Sequence, residues 1–299
     1  MATADVTLRG WRDDDAAAAA ELTRRFFAPD PPWDEEVARA HLASDALRGG
    51  ASVRVAVRDG QVVGVGGYLA APPWLYLWPV MAEDGAVAGA LLDALIAAGR
   101  GPDLQRVRVS VRAIEPGKQA AVIARGFARS IDFIEVVRPT TAPARAAAVA
   151  PVELERRAGG AIDRSAMHAT HDLTFAEIAN TAPMSAADFA HMLDGPTAWP
   201  AATAGWFAAD GTCAGFVIGL RHPDHGVVEA IGVHPRWRRR GLAAVMLDHL
   251  LAAAIADGAA EVRAMIASSS TASLGLHAAA GFTERARKAL WDLALPDPR

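Results

Sequence analysis

The stretch VVEAIGVHPRWRRRGLAAVMLDHLLAAAIADG, residues 227–258, decides how this chain is read. It opens on an apolar, β-branched run that suits a strand. It closes on Leu242, Val245, Met246, His249, Leu250 and Ala253, which recur at the three-to-four spacing of an amphipathic helix. Between them stand Arg236, Arg238, Arg239 and Arg240, then Gly241 and Ala243. A helix that starts with little side-chain bulk leaves its first backbone N–H groups open, and its dipole adds about half a positive charge there. Strand, basic turn and small-residue helix start together predict a cradle for a phosphorylated ligand. A solvated basic face would not need Gly and Ala in phase with the helix start. A nucleic-acid contact would be expected on a basic domain, and this chain has a net charge of -4. The spacing is neither that of the phosphate loop Gly-x-x-x-x-Gly-Lys-Ser/Thr nor that of the dinucleotide glycine fingerprint.

The 299 residues allow one large domain or two ordinary ones, and 52% hydrophobic against 21% charged residues is the balance of a globular chain. Alanine-rich runs such as DDDAAAAAELTRR alternate with charges and suit helices. No run of 18 apolar residues occurs, and MATADVTLRGW lacks a basic-then-apolar signal, so the expectation is a cytoplasmic protein without a membrane partner. Cys213 is the single cysteine and lies where a turn opens an apolar strand; a small buried residue is expected there rather than a nucleophile.

The two halves repeat. VRDGQVVGVGG (57–67) matches AADGTCAGFVI (208–218), LLDALIAAG (91–99) matches MLDHLLAAA (246–254), and IARGFARS (123–130) matches AAAGFTER (278–285). Asp59 to Asp210, Asp93 to Asp248 and Phe127 to Phe282 are 151, 155 and 155 residues apart. The Pro- and Ala-rich RPTTAPARAAAVAP (138–151) lies where a linker belongs. Each half reads as a strand, two helices, three strands, a helix, a strand, a helix and two closing strands. That order predicts an α/β (α+β) fold built as two tandem domains, each a mixed, mostly antiparallel sheet flanked by helices. The expected boundaries are 1–139, a linker at 140–151, and 152–299.

The residues of the second half resemble the GNAT acyltransferase superfamily. Its signature Arg/Gln-x-x-Gly-x-Gly/Ala is matched by Arg238-Arg239-Arg240-Gly241-Leu242-Ala243, preceded by Val233-His234-Pro235. SSSTASLGLHAAAGF (268–282) is similar to the family's Asn-x-x-Ala-x-x-Leu-Tyr-x-x-x-Gly-Phe ending. Through the repeat, the resemblance extends over the chain as a tandem pair, an arrangement similar in architecture alone to the mycothiol synthases. It implies acetyl-CoA as cosubstrate, with Arg238, Arg239, Arg240, Gly241, Leu242, Ala243 and Ala244 at the pyrophosphate. Ile231, Gly232 and Val233 would lie along the pantetheine arm, and Ser270 and Ser273 would complete the cofactor contacts. Backbone N–H groups near Ile231 to Val233 would face the developing oxyanion.

At an offset of 155, Glu83, Ala86 and Ala88 stand where the second half has Arg238, Gly241 and Ala243. Carboxylates repel a pyrophosphate, so the first half is expected to be a degenerate copy and the second the catalytic one. Acetyl transfer to a primary amine needs a base, for which Glu229 is the candidate, placed by strand alternation on one face with Ile231 and Val233. His277 occupies the family's tyrosine position and is the candidate acid; Ser270 replaces its asparagine. His168, His171 and Asp172 are the candidate acceptor-binding residues. The two histidines lack an evident third metal ligand, so no metal is expected. The partner expected is a small-molecule amine, not nucleic acid, with a homodimer left open. A non-catalytic acyl-CoA-binding module and a protein-lysine acetyltransferase are the competing readings.

Overall fold

A computed structural model describes residues 5–26, 33–143, 153–176 and 184–296. The chain forms two compact units: Met1–Asp132 with Ala286–Arg299, and Phe133–Arg285. In chain order the elements are β1 (Thr7–Gly10), α1 (Ala16–Phe26), α2 (Glu35–Leu42), β2 (Val53–Arg58), β3 (Gln61–Ala71) and β4 (Trp74–Ala82). Next come α3 (Gly85–Gly99), β5 (Arg106–Arg112), α4 (Pro116–Ala124) and β6 (Ala128–Pro139). The second round is β7 (Glu155–Ala158), α5 (Arg164–Phe175), α6 (Ala186–Asp194), β8 (Ala204–Phe207), β9 (Cys213–Arg221) and β10 (His225–Val233). It finishes with α7 (Leu242–Ala256), β11 (Glu261–Ala267), α8 (Thr271–Ala279) and β12 (Thr283–Ala294).

In the first unit the ladders run β1-β2-β3-β4-β5 and then the Lys288–Ala294 part of β12. In the second they run β7-β8-β9-β10-β11 and then the Phe133–Pro139 part of β6. Only β4/β5 and β10/β11 are parallel within these ladders; the remaining pairs are antiparallel. The mixed, mostly antiparallel sheet expected from the element order is present in both units. Asp59 and Gly60 make the β2–β3 turn, both at positive φ (51° and 78°), the geometry that an Asp-Gly hairpin requires.

Two expectations change. The two closing strands of each half are one 12-residue strand each, β6 and β12. No glycine or proline interrupts ARSIDFIEVVR or TERARKALWDLA, so nothing breaks the extended run. The units also divide the chain differently from 1–139 and 152–299: the boundaries fall inside β6, after Asp132, and inside β12, after Arg285. Ser130 Oγ donates to Leu290 O in the first unit, while Val137 pairs with Arg263 in the second. The Arg108 guanidinium grips Asp292 with two bonds of 2.7 and 2.8 Å and lies 4.1 Å from the Trp74 ring centre, which fastens β12 to β5. Of the expected linker 140–151, residues 144–151 lie outside the described residues.

The second unit buries β9 on both faces. Gly215 brings α7 close: a Cβ there would meet Leu242 Cδ2 at 2.9 Å and Met246 Sδ at 3.1 Å. Met246, Leu247 and Leu250 are fully buried on that side with Val217, Val228 and Val262. Met167, Phe189, Phe207, Phe216 and Ile218 form the cluster under α5 and α6. Each such side chain contributes about 1.5–3 kcal/mol relative to exposure, which fixes both helices against β10.

Candidate active site

β10 and β11 pair only over His225–Val228 and Glu261–Ala264. Beyond Val228 and Ala264 the parallel ladder stops, and a cavity of about 820 Å³ occupies the second unit there. Its walls include Glu229 to Val233 of β10, Ala264 to Ala267 of β11, the turn and start of α7, and the start of α8. Gly241, the N-cap of α7, sits at φ 78°, a conformation a glycine adopts without cost. It offers no side-chain cap, so the first helical N–H groups face the cavity's ligand space without the carboxylate or hydroxyl that usually satisfies them. Ala244 is an exception: its amide donates to Gly241 O at 3.0 Å, inside the helix turn.

The arginines divide their work. Arg238 and Arg239 line the cavity. Arg238 Nε donates to Val233 O at 3.1 Å, which ties the turn to the end of β10, and Arg239 is held at φ 64°. Arg240 does not line it. Its guanidinium lies 4.8 Å from the Trp237 ring centre and 3.4 Å from a Glu153 oxygen, so it braces the loop instead. Trp237 lines the cavity, and its buried Nε1 donor has no hydrogen-bond partner. An uncapped helix start, two guanidiniums and an unmatched buried N–H are together a donor set for an anion, and they fit the pyrophosphate of a CoA ester.

Glu229 is exposed, lines the cavity, and sits at a β-bulge, where the β9/β10 register shifts between Val228 and Ala230. The bulge alters the simple alternation. Val228 belongs to the α7-side cluster and Ala230 to the α5-side cluster, a change of face that two residues of regular strand cannot make. Ile231 and Val233 pack on the α7 side, Gly232 against Phe216 and Thr174.

His277 also lines the cavity, 1% exposed. Its Nδ1 lies 2.8 Å from Ser273 O, a carbonyl that can only accept, so Nδ1 carries the proton. Nε2 then presents a lone pair, and no partner reaches it. Burial pushes the His277 pKa down, with the Ser273 bond opposing more weakly. The residue expected as an acid is therefore held as a neutral acceptor. Ser270 and Ser273 both line the cavity at the start of α8.

His168, His171 and Asp172 do not line it. His168 Nε2 donates to Met184 O at 2.9 Å, and its ring stacks on Phe189. His171 stacks on Phe175 at 4.6 Å and is 5% exposed, its pKa lowered by burial despite Asp172. Asp172 accepts from the Met184 amide at 3.3 Å. The trio pins α5 to the approach of α6, and the helix's contribution to the cavity is instead Thr174 and Phe175. Phe133, Trp237 and Met265 are further lining residues that the sequence reading passed over. Cys213 is buried, its thiol pushed up to about 12 by desolvation, with Sγ donating to Gly215 O at 3.4 Å. It is a packing residue.

The first unit has the same elements and a different site. Trp74 and His225, which start β4 and β10, are 151 residues apart; Gly85 and Leu242, which start α3 and α7, are 157 apart. The strand–helix connection is eight residues long in the second unit (234–241) and two in the first (83–84). The whole arginine turn is therefore extra, and the residue opposite Gly241 is Asp84, not Ala86.

Residues 168–282 match the family model described as Acetyltransferase (GNAT) family. The match makes that stretch of the second unit similar to a GNAT acyltransferase domain. Solved structures with the same fold over nearly the whole chain include a GCN5-related N-acetyltransferase from Sphaerobacter thermophilus. It has 19% identity and a TM-score of 0.78, with 97% of this chain and 95% of that one covered. A tandem GNAT protein from the clavulanic acid biosynthesis pathway has 17% identity and a TM-score of 0.67, covering 97% and 98%. The glucosamine N-acetyltransferase region of a fungal multi-domain GH3 β-N-acetylglucosaminidase has 12% identity and a TM-score of 0.72, covering 98% of this chain and 38% of that one. These likenesses establish a tandem GNAT fold. No curated protein sequence matches the chain. Among the described residues, no helix is long and apolar enough to cross a membrane.

Proposed function

We propose that the second unit of this GNAT protein binds acetyl-CoA and moves its acetyl group to a primary amine of a small molecule. The observation that carries the reading is the uncapped start of α7 at Gly241, opening on a cavity that also contains the Glu229 carboxylate. Acetyl-CoA supplies the activated thioester. Arg238, Arg239 and the amides of Leu242 and Ala243 would hold its pyrophosphate, with the Trp237 Nε1 donor beside them. Glu229 takes the proton that the attacking nitrogen loses as the N–C bond forms and the C–S bond breaks, and the departing thiolate is protonated from solvent. His277, held neutral, accepts a hydrogen bond and is not the resting acid. The first unit binds no CoA, because its helix start is already capped and closed.

Calorimetry with acetyl-CoA should give one site per chain, and thiol release should depend on an added amine. Glu229→Gln should lower kcat by about 10²- to 10⁴-fold while leaving the acetyl-CoA Kd unchanged. Two sites per chain, or full turnover in Glu229→Gln, would refute the respective assignment. Tight acetyl-CoA binding with no thiol released to any amine would leave an acyl-CoA-binding module, and labelling of lysate proteins would point to a protein-lysine acceptor.

A further inference from the structure

We infer that Arg240, which does not line the cavity, serves the cofactor through Trp237: its guanidinium sets the indole so that Nε1 donates to a phosphate oxygen. This rests on the acetyl-CoA binding proposed above and gives that site one more binding residue and one positioning residue.

The turn between β10 and α7 carries the argument. Pro235–Trp237 is a short 3-10 turn, closed by the Trp237 amide, which donates to His234 O at 2.8 Å. It places the indole beside Arg238, with the ring packed against the core cluster under α7. An indole nitrogen donates and cannot accept. Buried without a partner, Nε1 is a costly group that a ligand's acceptor would satisfy. Among the described lining residues Trp237 is the one tryptophan, and the lining cations Arg238 and Arg239 follow it directly. A ligand lying on that turn is therefore an anion, whose oxygens are the acceptors that Nε1 lacks.

Arg240 reaches the same indole from outside the cavity. Its guanidinium carbon stands 4.8 Å from the ring centre, a cation–π contact. A cation over the ring draws electron density from it and makes the N–H a stronger donor. The planar guanidinium also restrains the ring in a way that a point charge would not. A Glu153 oxygen lies 3.4 Å from Arg240 Nη1, in a pair that is half exposed and worth little by itself. With that carboxylate beside it, Arg240 adds little net charge at the phosphate. What it adds is the placement of the indole.

Calorimetry with acetyl-CoA on the full chain tests this in Trp237→Phe, Arg240→Gln and the double variant. Phenylalanine keeps an aromatic ring and removes the donor. Trp237→Phe should weaken acetyl-CoA binding by about tenfold, the loss of one charge-assisted hydrogen bond. Arg240→Gln should weaken it by about threefold when Trp237 is present and by less than about 1.5-fold in the Trp237→Phe background. In the unaltered protein, one of the eight tryptophan indole N–H proton resonances should move downfield when acetyl-CoA is added. Inorganic pyrophosphate should move the same resonance, and Arg240→Gln should reduce the shift. Should Trp237→Phe fail to fold, these spectra decide alone. Acetyl-CoA bound with no indole resonance moved, or with an unchanged Kd in Trp237→Phe, overturns the Trp237 assignment. Equal losses from Arg240→Gln with and without the indole N–H would make Arg240 a direct phosphate contact and overturn the positioning role, as would no loss at all. Absence of acetyl-CoA binding to the unaltered protein overturns the acetyl-transfer reading, and this inference falls with it.

Discussion

Two helices that follow the same strand position in their units begin in opposite ways. α3 starts at Asp84, whose carboxylate accepts from the Val87 amide at 2.9 Å and pairs with Arg58 at 2.9 Å, contacts that hold its pKa below the usual carboxylate range. α7 starts at Gly241, which caps nothing. The first helix N-terminus is capped by its own carboxylate, and the second has no side-chain cap. The openings between the parallel strands differ in the same sense. β4 and β5 also stop pairing early, after Leu77 and Val109. There Lys118 reaches from α4 to Val80 O at 2.8 Å and to Glu115 at 2.5 Å, both side chains buried. Gly117 meanwhile lies so near α3 that a Cβ on it would stand 2.8 Å from the Gly85 nitrogen. At the corresponding positions of α8 stand Ser273 and Ala272, both on the cavity wall. One fold thus yields a filled site and an open one, through three local changes: a cap, a buried ion pair and a six-residue difference in one turn.

The comparison can be broken most forcefully at Lys118. Lys118→Ala leaves Glu115 buried without its cation and should cost about 3–5 kcal/mol in urea unfolding of the first unit. Ser273→Ala at the matching site of the second unit should stay within about 0.5 kcal/mol. If Lys118→Ala instead created a second acetyl-CoA site, the lysine alone would explain the difference and the cap would not. Gly241→Asp transplants the first unit's cap. Nothing lies within 4 Å of a Cβ there, so the fold should survive the positive φ, while the carboxylate takes the anion's place. Acetyl-CoA affinity should fall by about 10- to 100-fold, or about 1.4–2.8 kcal/mol; an unchanged Kd would remove the helix start from the cradle.

The smallest effect is on acid stability. Eight of the nine histidines lie in the second unit, His41 being the exception. Burial lowers the pKa of His277 and of His171, so the unfolded chain takes up protons near about pH 6.5 that the folded unit refuses. Stability is full above that pH and declines as pH falls towards the folded values. Between pH 7 and 5 the second unit's unfolding midpoint in urea should drop, with the first unit's nearly constant. Equal acid sensitivity of both units would contradict the assignment.

Much of this was legible in the residues. Gly241 and Ala243 in phase with an apolar helix announced a helix start without a side-chain cap, because capping depends on local sequence. Gly281 at φ 87° followed by buried Phe282 ends α8 as the repeat suggested. The acceptor residues were misplaced for a physical reason: histidines and an aspartate on one helix face look like a binding group until their partners are known. Met184, Phe189 and Phe216 are far from them in sequence and consume that face. Arg240 likewise resembled its neighbours until Glu153 and Trp237 claimed it.

Sequence by itself determined most of the elements, the repeat and the uncapped helix start at Gly241, since periodicity, turn chemistry and helix capping act over a few residues. Tertiary structure alone decided which strand closes each sheet, because β6 and β12 are equally good strands and only ladder pairing chooses their partners. It also decided that Phe133, written at the end of the first half, lines the cavity of the second unit, and that Lys118 fills the opening of the first. Those outcomes depend on contacts between residues tens to hundreds of positions apart.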